Sequence, residues 1–268
     1  MASTIKELCV FIYSLPSIIY RIDAALRNSP LSPIDNHVFL SGVYNRSGLF
    51  NYSYEEWRIK RINKVLEMYG IDYFKYKNVL ELGGGHGEIG AFFAELGANV
   101  LCLDGREQNV NFANLKYRKL NNFKSLQFNL ENDFSEFGRF DLIINFGLLY
   151  HLTNVDAHLN CCFKMSDEIV LETVVCDSTD PNKIFHFKEN KNVDEEALEG
   201  TGSCPSPFYI ERVANENNFE AMRYFSSDLN VKTLFSRNIF LYDWIHRNDE
   251  RLGGYKLRRC WRLKKSGR

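Results

Sequence analysis

Residues 79–90 read VLELGGGHGEIG, an apolar run that breaks into closely spaced glycines and then resumes with helical spacing. A strand that ends in such a turn brings bare backbone against a ligand, because a residue without Cβ tolerates positive φ and close approach. Two spacings overlap in these twelve residues. Gly85, Gly87 and Gly90 give G-x-G-x-x-G, whereas Glu81, Gly83, Gly85 and Gly87 give E-x-G-x-G-x-G.

The surrounding sequence alternates between strand and helix patterns. NVLEL, NVLCLD, SLQFNL, FDLIINF and EIVLETVV read as short buried strands, with HGEIGAFFAELG, NVNFANLKYRKL and DAHLNCCFKM as intervening helices. That order predicts an α/β fold: a doubly wound, Rossmann-like, mostly parallel sheet with helices on both faces. After Asp177 regularity lapses, then returns as a helix near PFYIERVANEN and strands near EAMRYF and NIFLYDW. Upstream, Ser53 and Glu56 suggest a capping box ahead of WRIKRINKVLEMYG, a helix that Gly70 would end. The expected organisation is an N-terminal helical extension over 1–52, a central domain over 53–247 with an insertion at about 178–205, and a basic tail over 248–268.

In an open α/β sheet the ligand lies beyond the carboxyl ends of the strands, so the glycine turn meets it. A dinucleotide would set its pyrophosphate at the following helix N-terminus, where a neighbouring Glu81 carboxylate would oppose it. S-adenosylmethionine carries an ammonium and a sulfonium, which a nearby carboxylate favours. Asp104, ending the second strand, can accept the ribose hydroxyls of either ligand, so the preference for S-adenosylmethionine rests on Glu81.

Residues 78 to about 177 resemble the class I S-adenosylmethionine-dependent methyltransferases. The resemblance implies a cofactor site built from Glu81, Gly83, Gly84, Gly85 and Gly87, with Asp104 and Gly105 at the ribose. It further implies Asn129 and Leu130 near the adenine, and Asn145, Phe146 and Gly147 beside the methionine portion. Glu131 and Asp133 are alternative matches for the family's adenine-contacting acid. The stretches NFGLLYHL, IVLETVV and EEWR are similar to the branch that modifies the wobble uridine of tRNA at a 5-oxygen. The aminomethylating motif D/N-P-P-Y/F is missing after the fourth strand, where Asn145 is followed by Phe146 and Gly147, which favours oxygen over exocyclic nitrogen as acceptor.

Methyl transfer needs orientation and exclusion of water, and a base when the acceptor is a weakly acidic hydroxyl. His151, just past the fourth strand, is the candidate base, and Tyr150 a candidate for orienting the acceptor; capping and packing are the alternatives for both. Glu172, inside the fifth strand, needs a partner if it is buried. Phe185, Phe187, Phe208 and Tyr209 suit either a cover for a flat acceptor or ordinary packing.

Composition narrows the classes further. Apolar residues at 45% and aromatics at 14% argue for a packed globular chain, and a net charge of −1 provides no general attraction to nucleic acid. The seven cysteines lack zinc spacing and are expected to be reduced thiols, so no metal is anticipated. The N-terminal apolar stretch is broken by Ser14 and Pro16, so neither a signal peptide nor a transmembrane segment is expected and the compartment would be cytoplasmic. KLRRCWRLKKSGR carries seven basic residues and no acid, which leaves a solvated end, membrane contact and tRNA phosphate contact open, with Trp261 able to stack on a base. A small metabolite or sugar is the preferred acceptor, with a tRNA base and a cofactor-binding module without turnover as alternatives.

Overall fold

In the computed structural model, β1 (Asn78–Leu82) is an inner strand, third in a seven-stranded sheet of order β3-β2-β1-β4-β5-β9-β8. The flanking strands are β2 (Asn99–Asp104), β3 (Phe123–Gln127), β4 (Leu142–Phe146) and β5 (Glu168–Val174). These five run parallel, while β9 (Arg258–Lys265) is antiparallel to both β5 and β8 (Phe219–Tyr224). The structure describes residues 52–193, 196–224, 229, 242, 244–247 and 257–267.

Strands buried on both faces are apolar almost throughout, which is why β1 and β4 show no alternation. Chain order reverses between β1 and β4, so the turn after β1 stands at the topological switch point. α2 (Glu88–Glu95) follows that turn and buries nearly all of its length, and α3 (Glu107–Lys116) follows β2. α4 (Val155–Met165) and α5 (Pro207–Glu216) join one apolar cluster with Leu80, Leu82, Ile143, Leu171 and Trp261. The expected insertion folds as a separate two-stranded antiparallel sheet, β6 (Ile184–Lys188) with β7 (Thr201–Pro205). Among the described residues no helix is long and apolar enough to cross a membrane.

The chain divides into two compact units, one of residues 1–73 and 228–239, the other of 74–227 and 240–268. In the first, α1 (Tyr52–Tyr69) begins before Ser53, so Ser53 lies within the helix and is not its cap. Gly70, at φ 78 and donating to the Leu66 carbonyl, closes the helix as its position suggests. The extension expected over 1–52 lies outside the described residues except for Tyr52.

Three expectations need correction. The third strand ends at Gln127, and the Phe128 N–H makes the last bond to β2, donating to the Asp104 carbonyl at 2.9 Å. Of the strand expected near NIFLYDW only Tyr242 and Trp244 are described, neither of them in a strand, and the other five residues lie outside the described set. Most consequentially, residues 258–265 are not a tail. They are β9, between β5 and β8, with Trp261 fully buried against Trp244 and so unable to stack on a base or enter an interface. Arg258 and Arg259 are also buried, and Arg262 pairs with Glu168. Lys256 and Arg268 lie outside the described residues.

Candidate active site

The glycine turn is built around a buried acid. Gly83, Gly85 and Gly87 take φ values of 66, 56 and 74°, a region that side-chain-bearing residues rarely adopt. Beneath them Glu81 accepts a hydrogen bond of 2.9 Å from the Gly90 N–H, in the first turn of α2 where the helix dipole favours negative charge. A Cβ on Gly84 would meet the Glu81 carboxyl carbon at 2.7 Å, and one on Gly90 would collide with its oxygen. The acid and the glycines therefore require one another. Glu81 holds the turn from below, a placement that charge attraction to a ligand did not anticipate.

Asp104 holds the same turn from the side. Its Oδ2 accepts from the Gly85 N–H at 2.9 Å, and its Oδ1 accepts from the Arg106 N–H at 3.0 Å and the Asn109 amide at 3.1 Å. A carboxylate offers about four acceptor positions, so Oδ2 retains room for a ligand hydroxyl. Between the two acids lies Cys102, fully buried, whose thiol is pushed well up by desolvation and by both neighbouring carboxylates. All six described cysteines are buried thiols outside any disulfide, and Cys9 lies outside the described residues.

After β4 the chain turns at Gly147, whose φ is 72° and whose N–H donates to the Glu172 carbonyl at 2.9 Å. Leu148 packs where a Cβ on Gly83 would stand, at 3.0 Å, so this turn abuts the glycine loop. A single 3-10 turn, Leu149–His151, follows. Tyr150 is buried, with its ring 4.0 Å from that of His151 and the Arg258 guanidinium 4.9 Å from its centre. His151 Nδ1 is 2.7 Å from Oε2 of Glu189, a carboxylate 1% exposed.

Glu189 comes from the insertion, just past β6. The β6–β7 sheet packs on the turn of His151: Ser203 donates to the Leu152 carbonyl at 2.7 Å, and a Cβ on Gly202 would meet the Tyr150 carbonyl at 2.7 Å. From Glu189 the chain crosses to the ends of β2 and β3. Glu199 accepts from the Asn129 amide at 2.8 Å, and Leu198 stands 3.0 Å from a Cβ built on Gly105.

Residues 80–166 match a methyltransferase domain family. The segment matched is a methyltransferase domain. Its fold is similar to the N-terminal domain of EvdMO1 crystallised with S-adenosylhomocysteine, at TM-score 0.59 and 18% identity, covering 90% of this chain and 100% of that one. It is also similar to magnesium protoporphyrin IX methyltransferase of Synechocystis PCC 6803 with bound S-adenosylmethionine, at TM-score 0.54 and 14% identity, covering 91% and 96%. Among curated proteins none matches the chain.

Within this domain the remaining candidates separate by face. Asn145 and Leu130 are tied together behind the sheet by His158 of α4, a residue the sequence did not single out. His158 Nε2 is 2.8 Å from the Asn145 amide nitrogen and Nδ1 is 3.3 Å from the Leu130 carbonyl. The Asn145 side chain is thereby committed to α4, leaving its backbone as the part at the strand end. Phe146 is buried beside it. Glu131 accepts from the Thr153 and Asn154 N–H groups at 2.5 and 3.4 Å, and Asp133 from Ser135 at 2.8 Å, so both alternative adenine acids are engaged in local structure. Tyr209 donates to Asp156 at 2.6 Å and Phe208 faces Arg223 at 5.1 Å, whereas Phe187 packs against the Tyr150 cluster and Phe185 is exposed on the same strand.

Both hydrogen bonds of His158 fit a neutral ring donating from Nδ1, and burial pushes its pKa down from 6.5 to about 4. The unfolded chain then binds the proton more readily, so stability falls as pH drops from about 6.5 toward 4, by roughly 3 kcal/mol in full. Urea unfolding at several pH values checks this, with His158→Gln expected to flatten that part of the profile. A His158 ring titrating near its ordinary value by NMR would contradict it.

Proposed function

We propose that this methyltransferase transfers a methyl group to the oxygen of a small hydroxylated acceptor, a metabolite or a sugar. The observation that carries the proposal is the His151–Glu189 pair, on the turn that follows Leu148 where Leu148 packs against Gly83. When bound, S-adenosylmethionine supplies a methyl group already activated on a sulfonium and departs as S-adenosylhomocysteine. The residues present fit it: the turn offers backbone in the left-handed region, and Asp104 Oδ2 keeps acceptor capacity for a ribose hydroxyl.

With Nδ1–H donated to Glu189, the neutral His151 ring has Nε2 as an acceptor, and no hydrogen bond to it exists among the described residues. As the acceptor oxygen forms its bond to the methyl carbon, its proton passes to Nε2 and Glu189 stabilises the resulting imidazolium. Tyr150 supports the ring of His151 by packing. The lack of D/N-P-P-Y/F after β4 speaks against an exocyclic amine as acceptor. The tRNA reading loses its main support because Arg258, Arg259 and Trp261 are buried within the sheet.

Calorimetric titration is the first test: S-adenosylhomocysteine is expected to bind in preference to NADH. Asp104→Ala is expected to weaken that binding by about 1–3 kcal/mol, the usual effect of losing a buried hydrogen-bond partner to a ligand. A panel of sugars and other hydroxylated metabolites assayed with a labelled methyl donor then addresses the acceptor. Label recovered on nitrogen, or on tRNA in preference to every small acceptor, would reverse the assignment.

A further inference from the structure

We infer that residues 189–193 and 196–199 couple the ribose end of the site to the candidate base, and that Arg106 is a positioning residue for His151. This rests on the proposed function above. Arg106 has two ends with different partners. Its backbone N–H donates to Asp104 Oδ1 at 3.0 Å, while its guanidinium reaches across to the insertion and donates to the carbonyls of Val193 and Glu196 at 2.8 and 3.0 Å.

The far end of the same segment is fastened to the base. Glu189 Oε2 accepts from the Ala197 N–H at 2.7 Å and is also the oxygen 2.7 Å from His151 Nδ1. One carboxylate oxygen thus serves both the fold of the segment and the orientation of the imidazole. Glu196 closes the segment on itself by accepting from the Asn190 N–H. Leu198 against Gly105 and Glu199 against Asn129 add contacts at the ends of β2 and β3. The route from Asp104 to His151 therefore runs through Arg106, the carbonyls it holds, and Glu189, with short contacts at each step.

A ligand that fixes Asp104 and Arg106 then fixes the carboxylate that orients His151. Linkage makes the effect reciprocal: loosening the His151 end must weaken ligand binding at the ribose end by the same factor. Ordinary packing of an insertion carries no such requirement, since removal of Glu189 would leave the ribose contacts untouched.

The test uses the full chain with S-adenosylhomocysteine as probe. Calorimetry is expected to give roughly tenfold weaker binding for Glu189→Ala and for Arg106→Met, within the range typical of coupled sites. The double variant should be little weaker than either single one, because both break the same connection. Glu189→Gln, which retains an acceptor oxygen, should recover most of the affinity. A second measurement needs no substitution: by NMR, the His151 Nδ1 proton of the unmodified chain should exchange more slowly with water once the probe is bound. If Glu189→Ala binds as tightly as the unmodified chain, or the proton exchanges at the same rate with and without the probe, the coupling is refuted while the methyltransferase reading stands. If the unmodified chain does not bind the probe at all, that reading falls and the coupling with it.

Discussion

Replacing His151 by Gln is expected to lower turnover by about 10²- to 10⁴-fold, the usual contribution of a positioned general base. Gln preserves much of the side-chain volume and can still donate toward Glu189, so the loss isolates the proton-accepting nitrogen from the packing around Tyr150. A solvent isotope effect on kcat distinguishes a base from a structural residue: it should be present in the unmodified chain and lost in the variant. Glu189→Gln should have a smaller effect on kcat, since the ring would retain a hydrogen-bond acceptor while its imidazolium lost a full negative charge 2.7 Å away. Turnover within threefold of normal for His151→Gln would remove it from the mechanism and leave desolvation and orientation as the source of rate.

The parallel half of the fold was legible because its signals are local. β1, β2, β4 and β5 are short, largely apolar runs, and Glu81 with its glycines and Asp104 lies within 24 consecutive residues. Even there, charge alone did not foretell the bond Glu81 makes within the protein. One of its oxygens accepts from the Gly90 N–H under the turn, a detail governed by the missing Cβ atoms of Gly84 and Gly90. Glu189 was not legible at all. It is 38 residues from His151, in a segment without period, and nothing distinguishes it in sequence from its acidic neighbours.

The misreading of residues 258–265 has a different cause. An excess of Lys and Arg suggests a solvated end, and the acids that balance it stand far away in sequence, on β5. Arg262 meets Glu168 at 2.8 Å across 94 residues, and the partner of Arg258 is 86 residues away. Strand pairing of that range leaves no trace in a local charge pattern. The one available signal was Glu172 itself: a carboxylate in a strand apolar on both sides demands a buried partner, and the basic stretch could supply it.

That pair carries the largest expected effect on stability. Glu172 and Arg258 have side chains 0% and 1% exposed, and Glu172 also accepts from the Tyr242 hydroxyl at 2.8 Å. Glu172→Ala would leave the Arg258 guanidinium buried without its carboxylate, and Arg258→Ala would leave the reverse. Each is expected to destabilise the fold by about 3–5 kcal/mol, the range for removing one member of a buried ion pair. That is a large share of the ~5–15 kcal/mol by which domains are held folded. The double variant Glu172→Leu with Arg258→Met should recover much of the loss, because no charge then remains without a partner in the interior. Chemical denaturation of the three variants tests this. A double variant no more stable than the single ones would mean that the loss does not come from a charge left without its partner. If the double variant is instead close to the unmodified chain in stability yet reduced in turnover, the lost contact of Arg258 with the Tyr150 ring, 4.9 Å away, accounts for it, since that contact links the pair to the turn that bears His151.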